Sequence, residues 1–246
     1  MTDLLLEFLG HASFRFYHSA SGWVYVDPWL TGNPVCPLRL QDIYEVTCVC
    51  VSHGHRDHLG DAIALCQKTG ALLIACPEIC AFAARHGIEY EKQSYGLNIG
   101  GTWRRDPLAV TMVQAFHTSE IQGPAYRADR TLDPGGGACG FMLRFDRWTV
   151  YFTGDTGIFG DMALLTQIYH PHLVILPIGG KYTMGPIEAA WALGLMRPPL
   201  AIPCHYDTFA DQRVDLAEFR RLVAERSPQT EVICLAPGAK YRLADA

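Results

Sequence analysis

The stretch VTCVCVSHGHRDH, residues 46–58, decides the fold of this chain. Its first half alternates valine with threonine and cysteine, which predicts a buried β-strand. Four side chains that can bind a metal follow the strand within six residues: His53, His55, Asp57 and His58. Gly54 lets the backbone turn tightly between the first two of them. We therefore predict that the first two histidines converge on one metal ion, while Asp57 and His58 face another.

A closed pair of metal sites needs more ligands than this loop supplies. Further histidine or aspartate side chains should therefore stand at the ends of other strands. Three residues fit: His117 ends LAVTMVQAFH, Asp155 follows WTVYFTG, and His205 ends LAIPCH. Open α/β sheets gather a site at one rim, where the strands end. We expect these three residues to join the loop in one metal site.

Strand-like and helical runs alternate along the rest of the chain. LLLEFLG (4–10), SFRFYH (13–18) and WVYVDPW (23–29) predict an opening meander of antiparallel strands. Predicted helices cover residues 60–69, 77–86, 161–169, 186–196 and 216–225, and EVICLAP (231–237) predicts a final strand. This β-α rhythm indicates sheets with helices packed on them. No linker divides the chain, so we expect a single domain over residues 1–246.

The composition excludes several classes of protein. The chain has 246 residues, 49% of them hydrophobic, which is typical of a globular protein and not of a disordered one. A net charge of −5 gives no overall attraction for phosphate backbones, so we expect no nucleic-acid partner. The first residues lack the basic segment of a signal peptide, and no apolar run is long enough to cross a membrane. We predict a cytoplasmic protein without a membrane partner, whose nine scattered cysteines are mostly small core residues.

Other segments carry a resemblance to a known family. They are LGHASF, VDPWLTGNP, HRDHLGDA, LNIGG, TGDTGIFGDM, PIGGKYTMGP and PCHYDTF. Together with the order of the predicted ligands, they make the chain resemble the metallo-β-lactamase superfamily over nearly its whole length. Within it, the chain is similar to the small stand-alone metal-dependent hydrolases related to L-ascorbate-6-phosphate lactonase. The resemblance implies an α/β fold, α+β in some schemes, built as a four-layer αββα sandwich with a two-metal site at one edge.

The resemblance also assigns the predicted ligands. It implies that His53, His55 and His117 bind the first metal ion, that Asp57, His58 and His205 bind the second, and that Asp155 bridges them. Nitrogen and oxygen ligands without thiolate suit zinc, manganese, iron, cobalt or nickel. We predict two divalent ions, with zinc as the first choice and manganese as the second. Such ions would make the site locally cationic, so a small anionic substrate fits even an acidic protein.

Five residues have further predicted roles, and three of these roles have an ordinary structural alternative. Asp27 would orient a ligand histidine from beneath the loop, or is an ordinary turn aspartate. His11 lies at the mouth of the site in the resemblance and would hydrogen-bond substrate or shuttle a proton, or is a packed strand-end histidine. Lys181 would receive an anionic group, or is solvated. Tyr206 would stabilise an oxyanion or donate to a leaving group, and Asp57 would act as general acid and base.

The predicted reaction is hydrolysis of a small carbonyl substrate, a lactone or an ester, by a hydroxide that bridges the two metal ions. A phosphodiesterase or nuclease of the same superfamily is the first alternative. The acidic isoelectric point and the short spacing from His117 to Asp155 speak against a nuclease.

A second alternative is a non-hydrolytic protein, with a di-metal redox centre or a metal-binding role. In the flavodiiron relatives, however, a glutamate stands where this chain has His55, and here every ligand position is filled.

Many enzymes of this size form homo-oligomers, and the sequence leaves the oligomeric state open. The long polar loop from Thr118 to Ala138 would serve as a lid or a subunit contact.

Overall fold

Two seven-stranded sheets form the framework of the protein in a computed structural model that describes residues 3–122 and 131–244. The strands are β1 (Leu4–Gly10), β2 (Ser13–His18), β3 (Gly22–Val26), β4 (Cys48–Cys50), β5 (Leu72–Ala75), β6 (Ser94–Gly96), β7 (Thr102–Arg105), β8 (Leu108–Gln114), β9 (Cys139–Phe145), β10 (Trp148–Phe152), β11 (Leu173–Pro177), β12 (Leu200–Cys204), β13 (Glu231–Val232) and β14 (Lys240–Leu243). The α-helices in the described part are α1 (Arg56–Leu59), α2 (Ala62–Thr69), α3 (Pro77–Arg85), α4 (Met162–Tyr169), α5 (Pro186–Met196) and α6 (Leu216–Arg226).

The first sheet has the strand order β14-β1-β2-β3-β4-β5-β6, and the second has the order β13-β12-β11-β10-β9-β8-β7. In the first sheet β1, β2 and β3 are antiparallel, whereas β3 to β6 are parallel. In the second sheet β7 to β10 are antiparallel, whereas β10 to β13 are parallel. As a result β1, β3 and β4 share one direction, and so do β8, β10 and β12.

Aromatic side chains fill the space between the two sheets. Strand β2 alternates buried phenylalanines with more exposed residues, so its apolar face points to one side. The ring of Phe14 lies 6.1 Å from that of Phe152, and the ring of Phe16 lies 5.7 Å from that of Phe145. These contacts join β2 of the first sheet to β10 and β9 of the second. The main core therefore lies between the sheets.

Helices cover the outer faces. Helices α2 and α3 contact β4, β5 and β6 of the first sheet. A second apolar cluster, which includes Tyr151, Leu176, Leu193 and Phe219, packs α5 and α6 against the outer face of the second sheet. The order of layers is helix, sheet, sheet, helix. This agrees with the predicted αββα sandwich.

Most predicted elements are confirmed, and the differences concern short ones. The opening meander and the five predicted helices are present, with ends shifted by no more than three residues. The loop after β4 contains the four-residue helix α1, which is too short to show a period in the sequence. The predicted strand 231–237 is wrong beyond Val232. Strands β6 and β14 were not predicted, and β14 forms by pairing with β1.

No helix in the described ranges is long and apolar enough to span a bilayer.

Candidate metal centre

The carboxyl ends of strands from both sheets meet at one edge of the sandwich. The polar residues that follow these ends are His11 after β1, Asp27 after β3, His53 after β4, His117 after β8, Asp155 after β10 and His205 after β12. Because strands of one direction end on the same side, the fold alone brings these distant residues together.

His53, His55 and His117 form a first group of metal donors. One ring nitrogen of each lies within 4.8 Å of those of the others. Nε2 of His53 and Nδ1 of His55 are 3.1 Å apart. Two nitrogens bound to one tetrahedral zinc ion lie about 3.3 Å apart, given Zn–N distances of about 2.0–2.1 Å. The spacing of these nitrogens fits a shared cation, as the resemblance implied for the first metal ion.

Asp57, His58 and His205 form a second group, and His11 lies with them. One donor atom of each of these four residues lies within 4.8 Å of the others. Nε2 of His205 is 4.0 Å from Oδ2 of Asp57. The structure therefore brings together the three residues predicted for the second metal ion.

Asp155 lies between the two groups. Its Oδ2 atom is 3.0 Å from Nε2 of His205 and 3.2 Å from Nε2 of His58, and it is 3.9 Å from Nε2 of His53. Its other oxygen, Oδ1, is buried and has no hydrogen-bond partner among the described residues. Nε2 of His58 is buried too and makes no hydrogen bond of suitable geometry, although it lies 3.2 Å from Oδ2 of Asp155. Buried polar atoms that lack partners are costly, and metal ions between the two groups would satisfy them.

A buried network beneath the loop orients two of the histidines. The backbone N–H of Ser52 donates to Oδ1 of Asp27 at 2.7 Å, and the Ser52 hydroxyl donates to Oδ2 at 2.5 Å. Nδ1 of His58 lies 2.7 Å from the same Oδ2, and Nδ1 of His53 lies 2.9 Å from the Ser52 hydroxyl. With Nδ1 of each ring held from below, Nε2 faces Asp155. This geometry favours the orienting role of Asp27 over a turn aspartate.

Burial and charge act in opposite directions on the site residues. Burial alone would raise the pKa of Asp155, but His205 and His58 hold it well below its ordinary value. Burial alone would lower the pKa of His58, but the carboxylates of Asp155 and Asp27 raise it well above its ordinary value. Burial lowers the pKa of His53 and of His117. Asp155 is thus ionised, and His53 and His117 are neutral, which is the state that metals bind.

His11 is packed behind the second group and is only 1% exposed, so the expectation that it stands at the mouth of the site is wrong. Its Nε2 atom lies 3.1 Å from Oδ2 of Asp57, and its Nδ1 atom lies 2.9 Å from the Thr208 hydroxyl. Its ring centroid lies 3.9 Å from that of His205, whose backbone N–H donates to the His11 carbonyl at 2.7 Å. Burial lowers the pKa of His11 to about 4. It contacts two predicted ligands and holds them in place.

A cavity of about 680 Å³ opens onto the donor groups. Its lining includes His55, Arg56, Asp57, His117, Thr118, Glu120, Gln122, Asp155, Tyr182, His205, Phe209, Asp211 and Gln212. Of these, only His55, Asp57, His117, Asp155 and His205 were predicted as site residues, and Arg56, Glu120 and Phe209 are among those that were not. Arg56 stands within the ligand motif, and that position is the only signal the sequence offers for it. Glu120 and Phe209 lie in loops with no motif around them, so only the fold reveals them.

Lys181 and Tyr206 are not among the described residues that line this cavity. The Lys181 ammonium forms an ion pair with Asp211, so its charge is already matched. Tyr206 follows His205, whose left-handed backbone (φ 55°) turns the chain, and its side chain lines a separate cavity of about 330 Å³ with Phe8. The structure does not bring either residue to the position where it would contact substrate beside the metals.

The segment after β8 packs onto the metal-binding loop at Gly54. A Cβ atom at this position would lie 2.7 Å from Cγ1 of Ile121 and 3.0 Å from the carbonyl oxygens of Ser119 and Glu120. Gly54 is therefore required for this close approach, a role that the predicted tight turn did not include. Oε2 of Glu120 also lies 3.4 Å from Nε2 of His55. Residues 123–130 of the predicted lid or contact loop lie outside the described residues.

The sequence matches a known family of proteins. Residues 22–206 match the family model described as the beta-lactamase superfamily domain. A protein named UPF0173 metal-dependent hydrolase from Methanopyrus kandleri is 40% identical over 236 residues, which are 96% of this chain and 98% of that protein. A protein of the same family name from Methanosarcina mazei is 37% identical over 243 residues, 99% of this chain and all of that protein.

A solved structure extends the agreement to three dimensions. Igni18, described as a novel metallo hydrolase from the archaeon Ignicoccus hospitalis, has a TM-score of 0.84 and 31% sequence identity, and the match covers the whole of both chains. The predicted fold class is thereby confirmed. The chain belongs to the metallo-β-lactamase superfamily, among its UPF0173 metal-dependent hydrolases.

Proposed function

We propose that this metal-dependent hydrolase is binuclear and cleaves a small carbonyl substrate, a lactone or an ester. The position of Asp155 is the observation that carries the proposal. Its Oδ2 atom lies within 4.0 Å of histidine nitrogens from both donor groups, as a bridging carboxylate requires. A site for one metal ion would need only one of these groups.

The donor set supports two divalent ions, and we propose zinc in both positions. His53, His55 and His117 would hold the first ion, and Asp57, His58 and His205 would hold the second. When bound, two divalent ions would supply a nucleophile from water near neutral pH and would stabilise negative charge on the substrate oxygen.

Asp57 is the side chain best placed to move a proton. It is partly exposed and lines the cavity, while Nε2 of His11 lies 3.1 Å from its Oδ2 atom. Burial alone would raise the pKa of Asp57, but the His11 hydrogen bond and the charge of His58 lower it far below its ordinary value. The carboxylate is therefore ionised at neutral pH. Its Oδ2 atom would accept the proton of the attacking water and return it to the leaving oxygen.

The size and polarity of the cavity support a small polar substrate. A volume of about 680 Å³ is in the range of pockets for small molecules, about 300–1,000 Å³. The lining carries mainly polar and ionisable side chains, with Tyr182 and Phe209 at its aromatic part. A lactone, as in the proposed relationship to L-ascorbate-6-phosphate lactonase, combines small size with several oxygen atoms.

A substrate panel tests the proposal. The purified protein, loaded in turn with zinc, manganese, iron, cobalt and nickel, is assayed on model lactones, nitrophenyl esters and bis-nitrophenyl phosphate. We expect turnover of a lactone or an ester, and loss of that turnover in Asp57→Asn. Turnover of the phosphodiester alone would contradict the choice of carbonyl substrate. It would favour the phosphodiesterase alternative.

A further inference from the structure

We infer that Arg56 binds an anionic group of the substrate, a carboxylate or a phosphate. The inference rests on the proposed hydrolytic function, because it concerns the same cavity. It assigns to Arg56 the recognition that the sequence suggested for Lys181. It also narrows the substrate class from small carbonyl compounds to anionic ones.

The backbone fixes the position of Arg56. It is the first residue of α1 and stands between His55 and Asp57, which belong to different donor groups. The backbone N–H of His58 donates to the His55 carbonyl, and that of Gly60 donates to the Arg56 carbonyl. The side chain is exposed and lines the cavity. Arg56 is therefore held beside the reacting centre with its guanidinium free to meet a ligand.

The charges around the cavity single out this guanidinium. Each carboxylate that lines the cavity lies beside a basic side chain: Asp57 beside His11, Glu120 beside His55, Asp155 beside His205, and Asp211 beside Lys181. Arg56 forms no ion pair with any residue in the ranges 3–122 and 131–244. Arg56 is thus the basic side chain of the described lining that lies beside no carboxylate.

The chemistry of arginine selects the ligand. A guanidinium is always charged and presents a planar fork of N–H donors, which matches a carboxylate or a phosphate in a bidentate pair. An ammonium that is already paired, as in Lys181, offers less to a ligand. A substrate with its carbonyl at the donor groups would therefore place its anionic group against Arg56.

Matched substrates test the inference. The assay uses one lactone ring bearing a carboxylate, a phosphate or, as the neutral analogue, a carboxamide. We expect the wild-type protein to favour an anionic form over the carboxamide, as measured by the ratio of kcat/KM values. In Arg56→Gln this ratio should fall by about 10–100-fold, the value of one charge-assisted hydrogen bond. Arg56→Lys should restore part of it.

The control is Lys181→Gln, which removes a cation from the neighbouring loop. It should leave the ratio within about twofold of wild type, because Lys181 is paired with Asp211. A ratio that falls in Lys181→Gln and not in Arg56→Gln would overturn the inference. High salt should weaken the anionic preference of the wild-type protein.

A binding measurement separates this inference from the proposed reaction. The zinc-loaded protein is titrated by calorimetry with the hydroxy acid formed on opening the carboxylate-bearing lactone. Binding that is at least about tenfold weaker in Arg56→Gln, with zinc content unchanged, supports the inference even if no lactone is hydrolysed. Equal binding by the two proteins contradicts it, even if hydrolysis is observed.

Discussion

Asp155 is the residue on which the two donor groups depend. Its Oδ2 atom lies near four histidine nitrogens, and its ionised state is maintained by His205 and His58. Asp155→Asn keeps the shape of the side chain and removes its charge. We expect this variant to lose at least one metal ion per chain and most of its activity. Metal analysis after dialysis measures this, and an unchanged metal content would contradict a bridging role.

Ser52 acts through His53, so its replacement should have a smaller effect. The Ser52 hydroxyl lies 2.9 Å from Nδ1 of His53 and fixes the direction of the ring. Loss of such an outer partner costs about 10–100-fold in metal affinity. We predict this loss for Ser52→Ala in a competition with a chelator.

Ser21→Ala is the matched control for that experiment. The Ser21 hydroxyl lies 3.5 Å from Nδ1 of His18, a histidine at the end of β2 and outside the two donor groups. Its removal should leave metal affinity unchanged. Equal affinities in Ser52→Ala and wild type would show that the network beneath the loop does not orient His53.

The raised pKa of His58 indicates that metal binding releases protons. Although burial favours its neutral form, Asp155 and Asp27 raise its pKa. In the metal-free protein this ring therefore carries a proton on both nitrogens at neutral pH. A metal ion at Nε2 must displace that proton. We expect about one proton per chain to be released near pH 7.5, and metal affinity to rise with pH. Calorimetry in buffers of different ionisation enthalpy measures the release, and identical heats in all buffers would contradict it.

The sequence predicted the histidines and aspartates that the structure brings together, but not their neighbours. His53, His55, Asp57 and His58 share one short motif, and the other predicted ligands each follow an apolar strand. The contact of Glu120 with His55 joins two loops that are far apart in the chain. The pairing of Lys181 with Asp211 arises in the same way, and no local pattern encodes it.

At the scale of elements, the loop after β4 depends on its contact with the segment after β8. Gly54→Ala would force Ile121 and the carbonyls of Ser119 and Glu120 away from the loop. Overpacking of this kind costs about 1–3 kcal/mol. We predict a lower Tm and weaker metal binding for this variant.

Gly160→Ala provides the comparison, because a Cβ atom there would meet nothing within 4 Å. Its Tm and metal affinity should stay near those of wild type. If the two variants behaved alike, the close packing of the segment on the loop would not be needed for the site.

Secondary-structure prediction succeeded for elements whose sequence pattern extends over many residues. Helix α5 was predicted with its observed bounds, because Pro186 at its first turn marks the start. Helix α1 has only four residues and forms within a motif that metal ligands dominate. Strand β14 forms only by pairing with β1, a contact between the two ends of the described chain. Such non-local pairing leaves little trace in a short window of sequence.

At the scale of the whole molecule, bound metal should stabilise the fold. The donor groups join segments that follow β4, β8, β10 and β12, so ions held there tie the two sheets together. A ligand at about 1,000 times its Kd adds about 4 kcal/mol of stability. For a chain of this size we expect Tm to rise by about 8–16 °C on zinc loading.

Thermal melts of the chelated and reloaded protein measure this shift. In the double variant His117→Ala with His205→Ala, zinc should raise Tm by far less, since one predicted ligand is missing from each group. A shift as large as that of wild type would place the stabilising metal elsewhere in the protein.

The anomalous scattering of zinc in a crystal of the loaded protein tests the two-metal site most directly. The predicted result is two peaks about 3.5–4 Å apart, with Asp155 between them, one beside His53 and the other beside His58. A single peak in one donor group, or peaks away from both groups, would contradict the binuclear site.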